Sequence, residues 1–197
     1  MPKEHVLTEI TKEATKKASL ALLKLTGDEA SVEFTKIEIG KIQKVFLKID
    51  PELMVAGVYL PISGDVKGAS LLIFPKKIAY ALCDVLVKRK AETARQITEL
   101  DKSALKEVGN IVLGSLLTVF SNRLKMKMIE HLPELSHDMF GALVDQIITQ
   151  FIQKAEEVLT IELLFNFKNT THIKGYVFLI FGTEEIKVLI KKMEEND

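Results

Sequence analysis

The segment VKGASLLIF at residues 66–74 has a close counterpart in IKGYVFLIF at residues 173–181. The two share five of nine residues at matching positions. Each follows an apolar run and a short polar turn, and each precedes apolar residues at helical spacing. Turns this short join antiparallel strands, because a parallel pair needs a much longer crossover. The sequence therefore predicts the same unit twice: strand, turn, strand, helix.

A long helical pattern precedes each of these units, at residues 6–25 and 101–120. The two patterns align at a shift of 94 residues, so that Lys12 and Glu13 match Lys106 and Glu107. Repeated units of this kind indicate duplication within one domain. A β-like stretch follows each helix.

We predict an α/β (α+β) fold with a single domain over residues 1–197. Two pseudo-symmetric repeats, about 5–90 and 101–192, form an antiparallel sheet packed with two long helices. Residues 91–101 join the repeats. An amphipathic helix predicted over residues 138–157 has no counterpart in the first repeat.

The composition excludes several classes of protein. Basic and acidic residues number 27 each, so zero net charge argues against a nucleic-acid or anionic membrane partner. The longest apolar run, at residues 111–120, is interrupted by Gly114 and Ser115 and is shorter than a membrane span. The single cysteine, Cys83, is predicted to be a core thiol, and the histidines lack the spacing of a metal site. We expect a cytoplasmic protein without a metal centre.

The second long helix contains two residues that disfavour helix, Gly109 and Asn110. Projected at helical spacing, one face is apolar and includes Gly109, which we interpret as room for a neighbouring element. The opposite face is a narrow polar stripe, flanked by Ile111 and Leu117. The stripe consists of Ser103, Glu107, Asn110 and Gly114. A stripe of this kind predicts a docking surface, with bare backbone at Gly114.

The second half resembles the CheC/CheX/FliY family of chemotaxis phosphatases. The signature of that family is Asp or Ser, three residues, Glu, two residues, Asn, twenty-two residues and Pro. Ser103, Glu107, Asn110 and Pro133 occur here at those spacings. The duplicated halves are also a property of the CheC branch, so the resemblance covers nearly the whole chain.

The resemblance implies a hydrolase that removes the aspartyl phosphate of a CheY-type response regulator in two-component chemotaxis signalling. Asn110 would orient the attacking water, and Glu107 would pair with a lysine of the receiver domain. Ser103 and Pro133 would support the motif. Mg²⁺ would be held by acids of the receiver, so that no metal ligand or cofactor of its own is expected.

The first half departs from the signature. The positions that align with it are Glu9, Glu13, Lys16 and Ile39. A charged lysine cannot accept a hydrogen bond from water, and it would repel the lysine of the receiver. We therefore predict that this first site is inactive.

Two other interpretations stay open at this stage. The chain could be a CheC-like adaptor with little catalysis that binds the deamidase CheD, a known partner of such proteins. Alternatively, the pair Glu107 and Asn110 could be an accident in an unrelated α/β protein.

Overall fold

The computed structural model describes residues 2–90, 96–151, 157–168 and 170–195. Helices and strands follow the same order in the two halves, except that the second half has two short strands where the first has one long strand. The first half contains α1 (Pro2–Thr26), β1 (Ala30–Lys41), α2 (Ile42–Phe46), β2 (Met54–Gly64), β3 (Gly68–Pro75) and α3 (Lys76–Leu86). The second half contains α4 (Glu99–Leu124), β4 (Met128–Glu130), β5 (Glu134–Met139), α5 (Phe140–Phe151), β6 (Glu157–Phe167), β7 (Thr170–Phe181) and α6 (Thr183–Glu195).

The strands of the described residues form one antiparallel sheet of seven strands in the order β1-β6-β7-β3-β2-β4, with β5 also pairing with β2. The strands that follow the long helix of each half pair with the hairpin of the other half. β1 pairs with β6, whereas β4 and β5 pair with β2. The two halves are therefore intertwined in a single sheet. The predicted α+β class and single antiparallel domain are confirmed.

The two matched segments meet at the centre of this sheet. Leu71 is the sixth residue of the first segment and Phe178 is the sixth residue of the second, and these two residues pair directly between β3 and β7. Equivalent residues can pair with each other in an antiparallel ladder only on a local twofold axis. The central pair of strands thus carries the pseudo-symmetry that the repeated segments predict.

Helices cover both faces of the sheet. α1, α3, α4 and α6 lie on one face, where the larger apolar cluster includes Val58, Phe74 and Leu113. α2 and α5 lie on the other face, where Leu71 and Phe178 are buried in a second cluster. Cys83 is completely buried in the first cluster, as the sequence predicts for a core thiol.

Two predictions about the middle of the second half are wrong. The segment 138–157 is not one helix, because β5 ends at Met139, α5 covers Phe140–Phe151, and Glu157 begins β6. Residues 152–156 lie outside the described residues. α5 also has a short counterpart in α2, which occupies the same place in the order of elements. The weak alternation of apolar residues in ELSHDM gave no signal for β5.

The predicted connection at 91–101 is only partly described. Residues 91–95 lie outside the described residues, and α4 already begins at Glu99.

Candidate functional site

A buried network fixes the beginning of α4. Thr98 and Asp101 form a reciprocal capping box, in which Asp101 N donates to Thr98 Oγ1 at 3.2 Å and Thr98 N donates to Asp101 Oδ2 at 2.9 Å. Asp101 is completely buried, and its Oδ1 lies 3.3 Å from Arg89 Nη2, just after α3. These contacts satisfy free amides at the helix start and tie α4 to the first half. The Thr-x-x-Asp spacing, which the sequence analysis did not use, carries the signal for this cap.

α4 places Ser103, Glu107 and Asn110 on one exposed face, as the helical projection predicts. The opposite face is buried against the sheet. Its buried residues include Leu105, Val108, Val112, Leu116, Val119 and Phe120. Pro133 follows β4 and is half-buried.

Gly109 is the point of closest approach between α4 and the sheet. A Cβ atom at this position would lie 2.7 Å from Cβ of Val58 on β2, well inside van der Waals contact. The predicted packing role of Gly109 is confirmed, and it explains one of the two helix-disfavouring residues.

The predicted limits of the polar stripe are wrong at two positions. Gly114 is buried rather than bare, because the carboxylate of Glu130 lies over it. Leu117 is only 2% exposed and belongs to the core, whereas Ile111 is half-buried. α4 packs against both α1 and the sheet, and these contacts are invisible in a projection of one isolated helix.

Glu107 and Asn110 are available for an external partner. Within the described residues, neither side chain makes a hydrogen bond or ion pair. The amide of Asn110 can both donate and accept, and the carboxylate of Glu107 accepts only. A cavity of about 390 Å³ beside α2 and α5 shares no lining residue with them. Their position on an open helix face suits contact with a macromolecular surface.

The aligned residues of the first half lie on α1 and are differently placed. Glu9 pairs with Lys12 at 2.9 Å, and Glu13 Oε2 lies 3.8 Å from Nε of Arg123 on α4. Lys16 is exposed without a carboxylate partner among the described residues.

Ile39, which takes the place of the signature proline, pairs with Leu159 within an unbroken β1. Pro133, by contrast, lies in the gap between β4 and β5. A proline has no N–H for the ladder, which is why the equivalent strand of the second half is interrupted.

α4 is long and apolar enough to cross a membrane by length and composition alone, contrary to the expectation from the apolar run at residues 111–120. Of the apolar stretch concerned, 56% is buried inside the domain. Packing against the sheet accounts for its apolar character. Among the residues that the structure describes, no three His, Cys, Asp or Glu side chains are grouped as metal ligands would be.

Comparison with known proteins shows a similarity to one family. The profile of the CheC-like family matches residues 100–133, the segment that contains the candidate site. The CheY-P phosphatase CheC of Bacillus subtilis (strain 168) is 27% identical over 132 residues, 66% of this chain and 63% of that protein. The chain therefore spans less than two thirds of the length of this curated relative.

Solved structures extend the likeness to the whole fold. Thermotoga maritima FliY has a TM-score of 0.75 at 18% identity, covering 99% of this chain and 97% of the other. A chain of the CheX-CheY-BeF3-Mg²⁺ complex from Borrelia burgdorferi has a TM-score of 0.54 at 18% identity, covering 89% and 97%. At 18% identity, these two matches show a similarity of fold only. The profile match over the candidate site and the Bacillus subtilis relative make this chain similar to the CheC-like family of chemotaxis proteins.

Proposed function

We propose that this protein is a cytoplasmic phosphatase that hydrolyses the aspartyl phosphate of a CheY-type receiver domain, with Glu107 and Asn110 as its site. The observation that carries the proposal is the exposure of these two unpartnered side chains one turn apart on α4, at the spacing of the family signature with Ser103 and Pro133. The name of the Bacillus subtilis relative, a CheY-P phosphatase, supports the same reaction.

The reaction requires little of the protein. The oxygen of a water molecule attacks phosphorus in line, the bond between phosphorus and the aspartyl oxygen breaks, and inorganic phosphate and a free carboxylate result. An acyl phosphate is already reactive, so placing the water is the main contribution to catalysis. The carbonyl oxygen of Asn110 would accept a hydrogen bond from this water, and Glu107 would pair with the lysine beside the phosphorylated aspartate. Mg²⁺ would be held by the acids of the receiver.

The decisive experiment is the decay of receiver phosphate in the presence of the wild type and of Asn110→Ala. We expect Asn110→Ala to lose about ten- to a thousandfold in rate, the cost of one orienting group. Its free energy of unfolding should change by no more than about 0.5 kcal/mol, because the side chain is exposed and unpartnered. Asn122→Ala, an exposed asparagine further along α4, is the matched control and should keep full activity. Equal rates for the two variants would remove Asn110 from the mechanism.

One observation favours an additional adaptor role. α1 exposes two leucines one turn apart, Leu20 at 55% and Leu23 at 42%. Exposed apolar residues beside an inactive site are suited to binding a second protein, and CheD is the candidate. Retention of CheD by the wild type but not by Leu20→Ser/Leu23→Ser would support this role, and equal retention would exclude this surface.

A further inference from the structure

A second carboxylate lies beside the candidate site. Oε2 and Oε1 of Glu130 are 2.9 and 3.3 Å from the position that a Cβ atom of residue 114 would occupy. Gly114 is one helical turn beyond Asn110, and Glu107 is one turn before it. Residues three and four apart on a helix are neighbours on its surface. Asn110 is therefore bracketed by two carboxylates on the same face of the domain.

The strand register turns Glu130 toward α4. Glu130 pairs with Ile62 on β2, and Ile62 faces the cluster beneath α4. Glu134 pairs instead with Tyr59, on the opposite face of the sheet. In a regular strand, residues four apart point to the same face of the sheet. Glu130 and Glu134 point to opposite faces because the segment between them, which contains Pro133, has one residue more than the segment of β2 that it faces. The glycine at position 114 then leaves the space in which the carboxylate of Glu130 lies.

Within the described residues, the carboxylate of Glu130, like that of Glu107, has no partner: its side chain makes no hydrogen bond or ion pair. Other exposed glutamates, such as Glu99 and Glu184, lie within 2.7 Å of a lysine one turn away. Burial against the helix raises the pKa of Glu130, and the attraction of Lys17 on α1 only partly offsets this. The carboxylate is thus partly desolvated and has no compensating donor.

The segment that follows Glu130 is attached to β2 and exposes an apolar side chain. His131 N donates to the carbonyl of Pro61 at 3.0 Å, so that the chain stays tied to β2 beyond β4. Leu132 is 85% exposed, which is unusual for a large apolar side chain. An unpaired carboxylate and an exposed leucine therefore lie two residues apart beside α4.

We propose that Glu130 is a specificity-determining residue, a second anchor that binds a basic side chain of the docked receiver. This inference rests on the proposed function, since it assumes that the receiver covers the face of Glu107 and Asn110. Seven residues of helix separate positions 107 and 114, or about 10 Å along the axis. A receiver that fits must present two cationic groups about this far apart, one for Glu107 and one for Glu130.

The test compares Glu130→Gln and Glu130→Lys with the wild type, using a CheY-type receiver phosphorylated by acetyl phosphate in Mg²⁺. Glu52→Gln, an exposed carboxylate near α2 and α5, is the charge-matched control. We expect KM to rise about tenfold in Glu130→Gln and further in Glu130→Lys, with kcat nearly unchanged, because a charged hydrogen bond to the partner is lost. The KM values should converge toward that of Glu130→Gln at high salt, since screening removes both attraction and repulsion.

The outcomes separate the two proposals. Wild-type activity with the same KM for Glu130→Gln and Glu52→Gln overturns the anchor and leaves the proposed function intact. A large loss of kcat at unchanged KM also overturns the anchor. If the wild type neither accelerates phosphate decay nor binds the receiver with beryllofluoride in place of phosphate, both proposals fail. Melting temperatures of all variants control for folding.

Discussion

Val58 on β2 packs against the backbone of Gly109 on α4, with its Cβ 2.7 Å from where a Cβ of residue 109 would be. Val58 is 1% exposed and β-branched, so its side chain cannot easily rotate its methyl groups away from Gly109. This contact sets the distance between the site-bearing helix and the sheet. It also sets how far Asn110, the next residue, stands out from the domain.

The first prediction follows from that contact. Gly109→Ala should destabilise the protein by up to about 2 kcal/mol, because an overpacking cost of about 1–3 kcal/mol exceeds the gain of about 1 kcal/mol in helix propensity. Adding Val58→Ala makes room for the new methyl group. Chemical denaturation of both single variants and the double variant checks this. The double variant should lose less free energy of unfolding than the sum of the losses in the two single variants. Strict additivity would show that the contact is not tight.

The second prediction concerns the site on α1 that the sequence predicts to be inactive. In an Asn110→Ala background, Lys16→Asn restores the Glu-x-x-Asn spacing with Glu13 but should restore little phosphatase activity. Leu20 is 55% exposed at the place of Gly114 and would obstruct a docking partner, and Glu13 already lies 3.8 Å from Arg123. Adding Leu20→Gly should recover more activity, at a cost of about 1 kcal/mol in helix stability.

Receiver-phosphate decay with the single, double and triple variants measures this recovery. Full rescue by Lys16→Asn alone would mean that its charge, rather than the shape of α1, silences the first site.

The third prediction uses the contact between β2 and β5. Tyr59 Oη donates to Oε2 of Glu134 at 2.6 Å, and burial together with this carboxylate raises the pKa of Tyr59 from 10.0 to about 12. The folded state therefore holds the phenolic proton more tightly than the unfolded chain. The resulting stabilisation is complete below pH 10 and is lost as the pH rises toward 12.

Denaturation midpoints of the wild type and Tyr59→Phe, measured from pH 8 to 12, isolate this contribution from the titration of lysines. The wild type should lose stability more steeply above pH 10 than Tyr59→Phe does. Parallel curves would contradict the raised pKa.

The sequence predicts the elements whose signal is local or repeated. Residues 68–74 of the first matched segment lie in β3 and residues 173–181 lie in β7, and the exposed and buried faces around Asn110 follow from helical periodicity. The catalytic roles of Glu107 and Asn110 stay predictions. β5 and α2 were missed because both are short and lack a periodic pattern. The limits of the two repeats, about 5–90 and 101–192, likewise stay an interpretation of the sequence.

By itself, the sequence determined the duplicated order of elements, the antiparallel hairpins and the helix face that presents Glu107 and Asn110. Each depends on the spacing of apolar residues along the chain. Only the tertiary structure decided that β1 and β5 cross to the opposite half, that Val58 fills the space at Gly109, and that Glu130 covers Gly114. These relationships join residues far apart in sequence, and their geometry depends on strand register and close packing, which no local pattern encodes.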